Sequence, residues 1–279
     1  MTADLDSHVI CIGAGQASLS CAAKLRALGY AGAITLIGDE PHLPYQRPPL
    51  SKKYLTREMS ADRLLLRPPE WFAENKVTCL TGQRVTAIDR ATRRVSFGSG
   101  EKLGYSKLLI ATGCTPRRLP QAMTANFAHI YTVRDIGDID SLAKHFQPGA
   151  RIVVVGGGYI GLEAASVAVK AGMHVTILEA APRILERVSC KETSAYFHAL
   201  HTSHGVDIVT GAKLEVLRGK DGAVSAAVLA DRRVFPCEAV IVGIGVTPNA
   251  GLAADAGLIV DNGIVVDEFC RTSDPDILA

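Results

Sequence analysis

The residues best suited to chemistry fall in two glycine-rich turns and one proline-rich loop. GAGQAS (Gly13–Ser18) follows the apolar run Val9–Ile12, and GGGYIG (Gly156–Gly161) follows Arg151–Val155. In such a turn the first glycine makes the bend and the second lets the backbone approach a pyrophosphate. The third position lets helix pack on strand. Amide N–H groups at the start of the next helix then face phosphate oxygens, helped by the helix dipole. Acids close the run after each turn: Asp39 and Glu40 after AITLIG, and Glu179 after HVTIL. Gly156 to Glu179 is 23 residues, close to the ~20 expected of an acid that bonds a ribose hydroxyl. The third position of the first turn is Ser18 rather than Gly or Ala. PYQRPPLSK, Pro44 to Lys52, adds Arg47 and Lys52 among three prolines. Prolines have fixed φ and no N–H, so this loop is rigid and presents side chains. A linker explains the prolines but not the two cations.

The elements that would position these groups follow a repeated grammar. After the first turn, Leu19, Ala22, Ala23, Leu25 and Leu28 suit the buried face of a helix ended by Gly29, and Ala33–Gly38 reads as the next strand. After the second turn come LEAASVAVKAG as a helix and HVTIL as a strand. One isolated glycine turn is as readily structural as functional. Two, each between a strand and a helix and each followed by an acid, predict two bound dinucleotides. Further strands are expected at Val77–Leu80, Val85–Ile88, Arg94–Phe97, Lys107–Gly113, Val206–Val209, Leu214–Leu217, Ala223–Leu229 and Ala239–Gly245. Domain joins belong near Thr115–Pro120 and Val246–Asn249, where proline enters the pattern.

The chain of 279 residues is long enough for about two domains. A net charge of +2 gives no global argument for nucleic acid or an anionic membrane. The N-terminal MTADLDSH has no basic region, so no secretory signal is expected. The longest apolar run, about AVIVGIGV, is far short of the ~18 residues of a membrane helix. Seven scattered cysteines without a CxxC or CxxxxC pair read as reduced thiols of a cytoplasmic protein rather than a disulfide framework or metal site. His198, His201 and His204 lie three apart, but no acid or cysteine cluster joins them, and no metal is expected. The pairs Arg93–Arg94, Arg117–Arg118 and Arg232–Arg233 are read as solvated faces that could also steer an acidic partner.

Taken together, GAGQAS, LIGDE, PYQRPPLSKKYL, IATG, GGGYIGLEAA, VTILE, RILERV, VGIGVTPN and DNGIVVDEFCRTSDPDI resemble the ferredoxin reductase branch of the FAD-dependent pyridine-nucleotide oxidoreductases. That resemblance implies an α/β fold of two Rossmann-like dinucleotide-binding domains, the FAD domain interrupted by an inserted NAD domain, with the family's C-terminal α/β domain absent from this chain. The boundaries it implies are 1–114 for the first FAD segment, 115–245 for the NAD domain, and 246–279 for a return into the FAD domain. For FAD it implicates Gly13, Gly15, Gln16, Ala17, Asp39, Val85, Ala111, Thr112, Gly113 and Arg134, with Arg47 countering the pyrophosphate. For NADH it implicates Gly156, Gly158, Tyr159, Ile160, Gly161, Glu179, Arg187 and Gly245. Lys52 and Glu163 would be the catalytic pair, a cation beside the flavin balanced by a carboxylate.

The activity implied is electron transfer from NADH through FAD to an iron–sulfur ferredoxin or rubredoxin that serves an oxygenase. The missing CxxxxC disfavours disulfide reduction. The alternative acceptors are quinone, oxygen or a nitrite reductase subunit. In this family the TSDPxI segment runs on to a Gly-Asp pair that holds the FAD ribityl chain, and the sequence stops at Ala279. The chain is therefore also expected to be a fragment that binds nucleotide without turnover, its first-domain sheet lacking a returning strand.

Overall fold

The structure, a computed structural model, describes residues 7–279. The acidic stretch Met1–Asp6, part of the argument against a secretory signal, lies outside the described residues. The chain divides into two compact units. The first holds the N-terminal part up to Gln46, with Leu64–Thr115 and Pro248–Ala279; the second holds Arg47–Arg63 and Pro116–Thr247.

In the first unit, five parallel strands lie in the order Ile277–Leu278, Lys107–Ile110, His8–Ile12, Ala33–Ile37, Val77–Leu80. The central run VICI is apolar throughout because both faces are covered. Ile10 and Ile12 pack with Val95, Leu108 and Leu258, while Cys11 packs with Leu19, Leu36 and Phe72. Helix Gln16–Ala27 connects the first two strands, and an antiparallel set, Val85–Asp89, Arg94–Phe97 and Lys102–Gly104, precedes the returning strand Lys107–Ile110.

The second unit repeats this plan. Its parallel sheet runs Ile130–Tyr131, Ala239–Val242, Arg151–Val155, His174–Leu178, Val206–Val209. Helix Tyr159–Lys170 buries Leu162, Ala164, Ala165 and Ala168, and the antiparallel set is Leu214–Lys220, Ala223–Leu229 and Val234–Pro236. In both units the first strand is flanked by the second on one side and by the returning strand on the other. That is the switch point at whose carboxyl end an open α/β sheet binds its ligand.

Two expectations need correction. The segment Arg47–Arg63, grouped by sequence with residues 1–114, packs within the second unit. The reason is side-chain anchoring: Ser51 and Lys52 bond Glu163, while Tyr54 and Arg57 bond Asp140. The first sheet also has a strand after the return, because Ile277–Leu278 pairs with Leu108–Leu109. Asp274 and Asp276 hold it there through Arg90 at 2.7 Å, Lys107 at 2.6 Å, and Arg93.

Candidate functional site

The two glycine turns have the same backbone wiring. Gly13 N donates to Ile37 O at 2.7 Å, and Gly156 N to Leu178 O at 2.9 Å. The returning strands close on the first strands through Ala111 N to Ile12 O and Gly243 N to Val155 O, both 2.8 Å. The first glycine of each turn is obligatory. Gly13 has φ 103° and Gly156 has φ 109°, and a Cβ at either would strike the carbonyl of Ala111 or Gly243. The middle glycines differ in kind: a Cβ at Gly15 or Gly158 would meet nothing within 4 Å. Chain packing therefore does not exclude a side chain there, and the bare backbone leaves a face free for a ligand to approach. This cradle fits a dinucleotide pyrophosphate in each unit, with the first turns of helices Gln16–Ala27 and Tyr159–Lys170 directly behind it.

At the third position the units part company. A Cβ at Gly161 would collide with the Gly156 carbonyl, so only glycine lets that helix close on its turn. In the first unit Ser18 occupies the position fully buried, and its hydroxyl has no hydrogen-bond partner.

In the first unit a cleft of about 320 Å³ is lined by Ile12, Gly13, Asp39, Val85, Thr112 and Asn249, among others. Gln16 and Ala17 are exposed at the helix start, and Gln16 Nε2 donates to Ser20 Oγ at 3.1 Å. Gly38 stands where Glu179 stands in the second unit, since Gly38 N bonds Leu80 O as Glu179 N bonds Val209 O. A side chain at position 38 would press on the Ala14 methyl, so the acid falls one residue later, at Asp39. Its carboxylate lies 3.8 Å from Arg84. Sequence reasoning assigned Asn249 no role, yet it organises the IATG turn. It donates from Nδ2 to Thr112 O at 2.9 Å and from N to Gly113 O at 3.0 Å. Its own carbonyl accepts from Thr112 Oγ1 at 2.7 Å, and its Oδ1 from Thr115 Oγ1 at 2.8 Å. Only the proline of VTPN hinted at a fixed bend there.

In the second unit a cleft of about 520 Å³ is lined by Gly156–Tyr159, Glu179, Arg187 and Ile244, among others. Tyr159 and Ile160 are exposed at the helix start. Glu179 Oε2 accepts from Gly157 N at 2.6 Å and Oε1 from Ala181 N at 2.7 Å, so its negative charge is pinned beside the turn. Arg183, close by in sequence, is turned away: Nε pairs with Glu186 at 2.6 Å and Nη1 donates to Ser189 O at 3.0 Å. Gly245, at φ 106°, lies beside Arg187 and accepts from Arg117 N at 2.9 Å.

The second unit also holds Lys52, Glu163, Arg47 and Arg134. Lys52 Nζ is 2.6 Å from Glu163 Oε2, although the two are 111 residues apart in sequence. Arg47 Nη1 donates to the Arg134 carbonyl at 2.7 Å, and Arg134 N donates to Asp138 Oδ2 at 2.9 Å. Burial raises the Asp138 carboxyl above its usual range, opposed by the Thr132 hydroxyl it accepts from. Asp138 went unassigned in the sequence. The signal that could have found it is the helix start DIGD, where Asp135 Oδ1 accepts from Asp138 N at 2.8 Å.

The histidine row belongs to helix Lys191–Ser203, where His204 caps the end and bonds Leu200 O at 2.8 Å. Trp71 packs against Phe72 and the Cys11–Leu36 core. Cys11 and Cys21 touch within the first unit. The Cys11 thiol holds Cys21 down to about 7, while the same contact, followed by burial, pushes Cys11 up.

Residues 7–279 match the family described as pyridine nucleotide-disulphide oxidoreductase. The chain belongs to that family. It is 42% identical to putidaredoxin reductase CamA of Pseudomonas putida over 98% of its own length and 66% of that protein's. It is 41% identical to rhodocoxin reductase of Rhodococcus erythropolis, over 97% and 63% respectively. Among solved structures it superposes on the reductase of a covalent putidaredoxin reductase–putidaredoxin complex, with TM-score 0.95 and 41% identity over 99% of this chain and 67% of that one. The chain thus spans just under two thirds of the length of these curated relatives. The fold class expected from the sequence, paired α/β dinucleotide-binding units, is the fold of these relatives. Among the described residues no helix is long and apolar enough to cross a membrane.

Proposed function

We propose that the protein is an FAD-dependent NADH:ferredoxin oxidoreductase, carrying electrons from NADH to an iron–sulfur ferredoxin or rubredoxin. The observation that carries this reading is the duplication. Two units of one topology each present a glycine turn whose middle glycine faces open space, and one of them pins an acid beside that turn. The relatives named for putidaredoxin and rhodocoxin support the choice of a small electron carrier as acceptor.

In this reading Gly13, Gly15, Gln16 and Ala17 bind the FAD pyrophosphate, Asp39 takes its ribose, and Val85 lines the adenine. Ala111, Thr112 and Gly113 complete the site within the first unit; Arg47 and Arg134 are the further FAD residues that the family resemblance implies. Gly156, Gly158, Tyr159, Ile160 and Gly161 bind NADH, Glu179 accepts from its ribose, and Arg187 and Gly245 flank the cleft. Bound FAD supplies the step from two-electron hydride chemistry to single-electron release. Lys52 supplies positive charge that favours the reduced, anionic flavin, and Glu163 holds that lysine. No side chain has to act as acid or base. Seven free thiols are consistent with a reducing compartment, and the cytoplasm is the proposed location.

The test is to load the protein with FAD and follow NADH oxidation with a panel of ferredoxins and rubredoxins. Acceptor-dependent NADH consumption is the expected result. NADH binding and flavin loading without electron delivery to any iron–sulfur acceptor would overturn the reading.

A further inference from the structure

We propose that Ser51 is a positioning residue whose buried hydroxyl orients the Glu163 carboxylate and so fixes the Lys52 ammonium. Its consequence for flavin reduction rests on the function proposed above; its hold on the ion pair does not.

The side chains of Lys52 and Glu163 are 46% and 41% exposed. An ion pair that open gains little from its Coulomb attraction and loses side-chain freedom, so alone it leaves both groups mobile. Ser51, in contrast, is 6% exposed. Its Oγ donates to Glu163 Oε2 at 2.9 Å, the same oxygen that accepts from Lys52 Nζ. Neighbouring residues of a regular helix point in different directions. Here the helical turn Leu50–Tyr54 is interrupted at Lys52, with φ −128° and ψ −114°, and both side chains reach one carboxylate. A hydroxyl bond to an ionised acceptor is among the stronger kinds, and at this burial water offers no ready replacement.

The far end of the turn is anchored separately. Tyr54, 5% exposed, donates to Asp140 Oδ1 at 3.1 Å, and Arg57 Nη1 donates to the same atom at 2.9 Å. With the backbone held at both ends, the freedom left in the Lys52–Glu163 pair lies in the two side chains; Ser51 restrains the glutamate, and through it the point on which the ammonium settles. Glu163 also lies in the helix that starts at the glycine turn, Tyr159–Lys170. Nucleotide turn, carboxylate and lysine therefore form one mechanical chain within the second unit.

The test labels lysines of the folded protein with an amine-reactive reagent and reads Lys52 and Lys53 separately by tandem mass spectrometry. Ser51→Ala is expected to label Lys52 about five-fold faster, in line with loss of one hydrogen bond of ordinary net strength, and to leave Lys53 unchanged. Ser51→Thr keeps the hydroxyl and should restore the wild-type rate. In a Glu163→Gln background Ser51→Ala should add nothing. Stopped-flow reduction of the FAD-loaded protein by NADH should slow in Ser51→Ala with NADH affinity unchanged. Equal labelling of Lys52 in wild type and Ser51→Ala, or an additive effect with Glu163→Gln, overturns the positioning role. Altered labelling with an unaltered reduction rate overturns its part in the reaction. A wild-type protein that NADH fails to reduce sinks the proposed function, and the labelling still decides what Ser51 holds.

Discussion

Glu179 is a carboxylate whose two oxygens are each bound to a backbone amide, so it cannot swing away from an incoming nucleotide. A ribose 2′-hydroxyl can donate to it, whereas a 2′-phosphate meets its charge. Arg183, the nearby cation that could have softened this, is committed to Glu186 and to loop carbonyls. NADH should therefore exceed NADPH in kcat/KM, and Glu179→Gln should narrow the gap by roughly ten-fold, about 1.4 kcal/mol. Steady-state kinetics with both nucleotides checks this, and an NADPH preference in the wild type would refute it. Ser18 carries a different prediction. Its hydroxyl is buried and unpartnered, and leaving such a group unsatisfied costs about 1–3 kcal/mol. Ser18→Ala should raise the stability of the first unit by about 1 kcal/mol, read as a higher denaturation midpoint. A lowered midpoint would mean that the hydroxyl has a partner in solution.

Helix and sheet meet at different depths in the two units, and the third turn position is where this shows. Ser18 is tolerated in one, whereas any Cβ at Gly161 runs into the Gly156 carbonyl and crowds Val154. Gly161→Ala gains up to about 1 kcal/mol of helix propensity but incurs overpacking of about 1–3 kcal/mol. It should thus destabilise the second unit by up to about 2 kcal/mol and weaken NADH binding, measured by calorimetry, without changing FAD uptake. Elements of this kind were legible because their causes are local. A glycine at positive φ, a run of β-branched residues and the spacing of Leu19, Ala22 and Leu25 all lie within one window of sequence. The Lys52–Glu163 pair was reached through a motif, and the geometry supplies its partner list. Ser51 and Asp140 left no local trace, and Asn249 only the bend hinted at by the proline before it. Their bonds span 112, 86 and 137 residues to Glu163, Tyr54 and Thr112, and a serine, aspartate or asparagine looks the same whether it anchors a loop or faces water. Ile277–Leu278 escaped detection because two residues are too few for a period, and flanking ion pairs hold it rather than its own pattern.

Across the whole molecule the two units carry titratable histidines that burial affects in one direction. His8 lies in the first unit, where its Nε2 meets Thr35 Oγ1 at 2.9 Å. His145 and His201 lie in the second, and His145 Nε2 meets Tyr131 Oη at 2.8 Å. Burial is the main cause holding all three below the ordinary histidine value of 6.5, with His129 and Lys144 adding to it at His145 and His204 at His201. The sign of the effect on folding follows directly. Between the depressed folded value and 6.5 the unfolded chain binds more protons than the native one, so stability rises with pH in that window. It is complete above about 6.5 and is lost as pH falls towards the folded values. Both units should share this trend, so thermal midpoints should fall together between pH 7.5 and 5.5. His145→Gln keeps a polar group for Tyr131 but removes the titration, and should flatten the slope of the second unit alone. A calorimetric scan that resolves the two units provides the measurement. An unchanged slope for the second unit in His145→Gln would show that its acid sensitivity arises elsewhere. In the first unit Asp274 adds a separate and more acidic step: burial raises its carboxyl, but the Arg90 bond and the Asp276 amide hold it lower overall, so its contribution is lost only below the ordinary carboxylate value.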